Sequence, residues 1–460
     1  MAMKLNTGLA IIAALLMHPL SLIATPVHTT TNYTTPDNSS PAGFSFALVT
    51  NHTIRRGSDG FLHLQGSLGE NMKPRHGDGS SAAANATALG AKTNVAPVNL
   101  PHFFVFDFGS GIGRNRYYLR LETTYFLTWI QCKHCNPHAR QHGPLFDPVA
   151  SPTYRRVLSD AAICVEPQFH KIASSCVFRF NKGHEFAEGY VSTDHVTKPG
   201  GSAYRGFIFG CAYEAQNFQE DGEGRYAGVA GFGDVVMQLA ARGLTRFSYC
   251  LWGGAGANRQ GFLRFGDDVP HNRRYSTTGI LPSLHAHPLE SVYYVSLAGL
   301  SIGAHRLDGI RPEMFGRRKD GHGGCAIDLG TPMTVMVEEA YRAIEEAVWS
   351  DLERHGAERV KLPGFGLCVR ATKAVKGQIR LQSLSLRFSE EEAVLVISPA
   401  QLFVMMNDKQ GQIACLAMTP GNRTVIGAFQ QVDTRFVYDV KESKLSFAPE
   451  SCIRDTTQFV

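Results

Sequence analysis

The stretch Ala326 to Met333, AIDLGTPM, has the residue types and spacing of an acid–base site: an apolar pair leads into Asp328, followed by Leu329, Gly330 and Thr331. A strand that ends on Asp-x-Gly-Thr delivers a carboxylate at the mouth of a tight turn. The glycine lets backbone N–H groups approach, and the threonine hydroxyl can brace a carboxylate oxygen. That is one half of a two-carboxylate site. The same four residues also suit an ordinary strand-turn, so their meaning depends on the rest of the chain.

Other chemistry-bearing groups compete with it. Asp107-Phe108-Gly109-Ser110 has a similar look. Cys132 and Cys135, followed by His138 and His142, suggest zinc, but the two residues between Cys135 and His138 are far fewer than finger spacing needs, so no metal and no cofactor are expected. The ten cysteines (Cys132, Cys135, Cys164, Cys176, Cys211, Cys250, Cys325, Cys368, Cys415 and Cys452) are an even set, which in a secreted chain predicts disulfides.

The elements that must position these groups are mostly strands. With 460 residues the chain exceeds the usual size of one core, so two lobes are expected. A charged content of only 18%, with 46 glycines, 22 prolines and 28 phenylalanines, favours short strands and many turns, an all-β class. From Phe103 onward short apolar strands dominate: HFFVFDF, YYLRLE, GFIFGC, SVYYVSL, LSLRF, AVLVIS, TRFVYDV and KLSFAP. Two helices interrupt them, Val235 to Arg242 before Gly243 and Val337 to His355 before Gly356. The net charge of +5 is spread without a basic run, so nucleic acid is not an expected partner.

Lys4 precedes an apolar run from Gly8 to Ala24 that His18 and Pro19 interrupt and that ends in small residues, which reads as a signal peptide over 1–24. Its uninterrupted part is shorter than the roughly 20 residues of a membrane span, so no membrane anchor is expected. Residues 25–98, rich in Thr, Ser, Asn, Gly and Ala, read as a pro-segment or linker. Sequons at Asn32, Asn38, Asn51, Asn85 and Asn422 agree with the secretory route.

In order along the chain stand LTWIQC (Leu127–Cys132), GPLFDP with SPTY (Gly143–Tyr154), FGC (Phe209–Cys211), AGVAGFG (Ala227–Gly233) and RFSYCL (Arg246–Leu251). Then follow YYVSLAGLSIG (Tyr293–Gly303), AIDLGT, CLAM (Cys415–Met418), VIGAFQQ (Val425–Gln431) and FVYDVKESKLSFAPESC (Phe436–Cys452). Together these segments resemble the pepsin-like aspartic proteases of the plant nepenthesin type, over about 350 of the 460 residues.

The resemblance implies a bilobed fold, with an N-terminal β lobe over 99–285, a C-terminal β lobe over 286–460 and a cleft between them. Each lobe should supply one Asp-Thr/Ser-Gly-Ser/Thr loop, backed by an apolar-apolar-Gly segment that Val229-Ala230-Gly231 and Val425-Ile426-Gly427 match. A peptide or protein substrate would lie in the cleft under a hairpin flap. The family's first aspartate lies seven residues before the LTW tryptophan, a position that Glu122 holds here, so the loop reads Glu122-Thr123-Thr124-Tyr125. Asp107 lies 22 residues before Trp129 and reads as a strand or turn residue instead. In the second loop Asp328, Gly330 and Thr331 are kept and Leu329 replaces a hydroxyl residue, although Thr123 could still make its half of the bond that ties the loops. In the flap, Phe180-Asn181-Lys182-Gly183 stands for the family's Tyr-Gly-Asp-Gly, keeping a ring without its hydroxyl. Cys368 and Cys415 resemble bridged positions of the C-terminal lobe.

By family this is an aspartic endopeptidase, in which two carboxylates sharing a proton activate a water and protonate the carbonyl oxygen. Glu122 carries an extra methylene, Thr124 puts a Cβ where glycine is needed, and Tyr125 puts a phenol where a small hydroxyl belongs. Hydrolysis is therefore expected to be impaired or lost. The alternative is a non-catalytic secreted binding or inhibitor protein on the same fold, since some plant relatives inhibit cell-wall-degrading enzymes; a third is a glycoprotein that never used the cleft. A monomer in the apoplast, or in the vacuole, is expected.

Overall fold

The computed structural model describes residues 43–50, 54–56, 62–64, 102–108, 115–122, 125–141, 143–182, 184–197, 203–217, 226–252, 261–271, 273–282, 293–318, 322–371, 381–390, 392–408 and 410–452. All of them belong to one compact unit, Asn38–Val460.

The architecture is all-β and built twice over. The strand Asn115–Glu122 alternates: Tyr117, Leu119 and Leu121 are buried among apolar side chains, which leaves Tyr118, Arg120 and Glu122 on the other face. Its end runs parallel to Gly228–Gly231, with Gly231 opposite Glu122. That strand is antiparallel to Trp129–Gln131, which in turn pairs in parallel with Ala203–Gln216. The second half repeats the order. Cys325–Ile327 runs parallel to Thr424–Ile426, that strand is antiparallel to Thr334–Val337, and Thr334–Val337 pairs in parallel with Met418–Gly421. A helix follows each backing strand, Phe232–Ala240 in the first half and Ala428–Gln431 in the second.

The backing glycines explain why an apolar-apolar-Gly signature marks both halves. A Cβ on Gly231 would lie 2.6 Å from the Leu127 carbonyl, and one on Gly427 would lie 2.5 Å from the Met333 carbonyl carbon. Backbone cannot yield there, so each glycine lets a backing strand close on the loop it supports.

Six consecutive antiparallel strands of the large sheet join the halves, in the order Phe44–Thr50, Gly261–Phe265, Arg246–Cys250, Thr434–Asp439, Lys444–Pro449 and Ser276–Leu281. Stacked rings hold their centre, Phe247 on Tyr438 at 4.5 Å and Tyr249 on Phe436 at 5.4 Å. Arg435, fully buried, is matched by Glu450 at 2.9 Å, and the Cys250–Cys452 disulfide ties the end of the central strand Arg246–Cys250 to the segment after Lys444–Pro449.

Three strands fall within 25–98, the stretch expected to be a pro-segment or linker. Phe44–Thr50 pairs with both Gly261–Phe265 and His102–Phe108, and the hairpin of Ile54–Arg56 and Leu62–Leu64 adds to Phe403–Asp408. These three described strands are therefore paired into the sheets. The helix stops are where the glycines place them: Gly243 and Gly356 both take positive φ, after helices Phe232–Ala240 and Glu338–Arg354.

Candidate active site

Asp328 follows the strand Cys325–Ile327 and is buried. The Gly330 N–H donates to its Oδ1 at 2.8 Å and the Thr331 hydroxyl to its Oδ2 at 2.5 Å, the bracing that Asp-x-Gly-Thr implies. Behind it, the Gln431 amide donates to the Asp328 carbonyl at 3.1 Å and to the Ile426 carbonyl at 2.8 Å. Gln431 is held in turn by the Tyr249 hydroxyl at 2.6 Å. Burial pushes the Tyr249 phenol well up, with Tyr438 and Asp328 adding to it, so it remains a donor. Leu329 points into the apolar core.

Glu122 ends its strand and is also buried. A Cβ on Gly330 would lie 2.6 Å from Glu122 Oε2 and 3.3 Å from Asp328 Oδ1, so the two carboxylates flank one glycine where the halves meet. Thr123 and Thr124, expected in the site loop, lie outside the described residues.

The structure adds a cation to this pair. Arg120 shares a face of the strand with Glu122, and its Nε lies 2.9 Å from Glu122 Oε1. Its two terminal nitrogens donate to Glu185, Nη1 to Oε1 at 2.7 Å and Nη2 to Oε2 at 2.6 Å. Burial works against this guanidinium's charge, but Glu122 and Glu185 outweigh it and raise its pKa. Arg120 carries a signal in the sequence, because strand alternation places it on the same face as Glu122. Glu185 carries no such local signal, because it arrives from a hairpin 65 residues away.

That hairpin is the expected flap, Ser175–Lys182 paired with Glu185–Thr197. Phe180 is buried in it, 5.5 Å from the Trp129 ring. Tyr125 packs edge-on against Phe180 at 4.6 Å, and its hydroxyl donates to the Arg179 carbonyl at 2.9 Å. The phenol thus leans on the flap and makes no brace to Glu122 among the described contacts.

Asp107 stands apart. It pairs with Arg116, six residues before Glu122 on the site strand, which puts its backbone roughly 20 Å from Glu122 at strand rise. Cys132 is bonded to Cys211, which removes it from any zinc set, and the described residues hold no group of three potential ligands around a point. Cys164–Cys176 and Cys368–Cys415 are the other pairs, the last as the resemblance implied; Cys135 and Cys325 are buried free thiols. Asn422 lies half-buried in the turn before Thr424–Ile426, its amide donating to His322 Nδ1 at 2.6 Å, while the other four sequons are outside the described residues.

Two β lobes that each bring an acidic loop to their junction define the pepsin-like class of aspartic proteases. Residues 104–267 match the family model described as xylanase inhibitor N-terminal, and residues 292–449 match xylanase inhibitor C-terminal. The chain belongs to this pepsin-like family, in its plant nepenthesin-type branch. It is 29% identical to aspartyl protease family protein 2 of Arabidopsis thaliana over 75% of this chain and 70% of that one. It is 26% identical to aspartic proteinase nepenthesin-2 of Nepenthes gracilis over 72% of this chain and 74% of that one. Among solved structures, edgp matches with a TM-score of 0.62 at 17% identity, covering 90% of this chain and 96% of that one. Basic 7S globulin from soybean matches at 0.56 and 18%, covering 76% and 93%; these two share the fold. No described helix is long and apolar enough to cross a membrane.

Proposed function

We propose that this protein binds a peptide or protein segment in the cleft of an aspartic-peptidase fold and that its hydrolysis of peptide bonds is impaired or lost. The observation that carries the reading is Arg120, set between Glu122 and Glu185. Acid–base hydrolysis on this fold needs one proton shared by two close carboxylates. A guanidinium beside Glu122 supplies a fixed positive charge at the place where the mechanism uses a mobile one. The extra methylene of Glu122 moves its oxygens as well, and misplacement of about an ångström costs roughly 100-fold.

Purified, processed protein incubated with an unbiased peptide library at acid pH is expected to cleave at least about 100-fold more slowly than a nepenthesin run beside it. Efficient cleavage that Asp328→Asn abolishes would overturn the reading. It would favour the second one, a working Glu122–Asp328 dyad, which the position of both carboxylates around Gly330 supports. The xylanase-inhibitor description of the family models supports a protein partner, with inhibition of a wall-degrading enzyme as one form of it. Secretion is part of the proposal, supported by four disulfides and the apolar run Gly8–Ala24.

A further inference from the structure

Two residues on either side of Glu122, Arg120 and Tyr125, share a property: both grip the flap. Lys182 pairs with Glu185 as the last pair of the hairpin before its turn, so Glu185 marks the tip. Arg120 holds that tip through a two-pronged ion pair whose side chains are only 15% and 13% exposed, where salt screens little. Tyr125 holds the other strand, by its hydroxyl on the Arg179 carbonyl and by its ring on Phe180. Each hairpin strand is thus tied to the segment that carries Glu122, and the two ties lie five residues apart in the chain, at 120 and 125.

We propose that this segment is a flap anchor: Arg120 and Tyr125 fasten the hairpin to the first site loop, so that the groove beneath it is preformed for its ligand and the hairpin does not swing. The proposal takes the site as a binding groove from the reading above and adds how it is held. A lid that must admit substrate and release products on every turnover gains from looseness, whereas a binder gains affinity when its site needs no ordering on contact. Arg120 and Tyr125 serve the second need. The charge at Glu122 and the phenol that spoils the catalytic loop are then parts of one device.

The test measures amide hydrogen exchange in the intact protein without any peptide, so its failure leaves the hydrolysis reading untouched. Tyr125→Phe keeps the ring and removes the hydroxyl, and Glu185→Gln keeps the shape and removes the charge. The double variant is expected to raise exchange at residues 179–188 by at least about 10-fold, each single variant by less. The hairpin Phe403–Asp408 with Gly411–Leu416 in the other lobe serves as control and is expected to be unchanged. Unaltered exchange at 179–188 overturns the anchor. An equal rise in both hairpins overturns it too, since that would be a loss of global stability. Arg120→Lys, which keeps the charge without the fork, is expected to fall between wild type and the double variant.

Discussion

Glu122, Tyr125 and Arg120 act as a unit, so single repairs should disappoint. Glu122→Asp alone is expected to do little, because Tyr125 still occupies the loop and Arg120 still neutralises the carboxylate. The triple change Glu122→Asp, Thr124→Gly and Tyr125→Ser is expected to raise acid-pH proteolysis by at least about 100-fold. Adding Arg120→Val with Glu185→Gln should raise it further, and Asp328→Asn in that background should abolish the gain. Cleavage rates on a pooled peptide substrate decide it, and inert triple and quintuple variants in a folded protein would sink the account. Arg120→Leu alone is a poor test, since it strands two carboxylates at a cost of roughly 3–5 kcal/mol. At this scale much was legible: the count from Trp129 finds Glu122, and period-two alternation puts Arg120 beside it. Glu185 was not, because nothing local ties residue 185 to residue 120.

The strands and their staples carry the next set of expectations. Cys368 and Cys415 stand opposite each other on paired strands, 47 residues apart in sequence. Closing that loop should stabilise by roughly 4 kcal/mol in the chain-entropy model, so the double change to alanine should shift the urea midpoint accordingly. Glu390 is a polar staple on Ser276–Leu281, the last of the joining strands, accepting from the Thr278 hydroxyl at 2.5 Å and the Gly279 N–H at 3.0 Å. Partial burial opposes its charge, but those two bonds outweigh it and lower its pKa. The lowered native value means that its stabilisation is complete above the unfolded value of about 4.3 and is lost as pH falls through the native one. Glu390→Gln is therefore expected to lower the Tm at pH 6, with the difference from wild type shrinking below about pH 4. A Tm gap that stays constant with pH would refute it.

For the whole molecule the expectation concerns its route out of the cell. If the chain is secreted, N-terminal sequencing of exported material should begin after about Ala24, and glycan should be found on at least one of Asn32, Asn38, Asn51, Asn85 and Asn422. Thiol mapping should show Cys135 and Cys325 alkylated only after denaturation, since both are buried outside the four disulfides. A cytosolic protein with an intact Met1 and reduced cysteines would end the idea. The chain by itself determined the class, the order of the motifs, the two glycine-stopped helices and the identity of the altered loop. These depend on backbone preference and on spacing along the chain, which are local and survive without a fold. Only the tertiary structure decided that Cys132 pairs with Cys211 and Cys250 with Cys452, across 79 and 202 residues. It alone decided that Phe44–Thr50 pairs with both Gly261–Phe265 and His102–Phe108, and that Arg120 spends its charge on Glu122 and Glu185 together. The reason is the same in each case: which distant strands meet is set by how whole sheets bury their apolar faces, and no window of the sequence contains both partners.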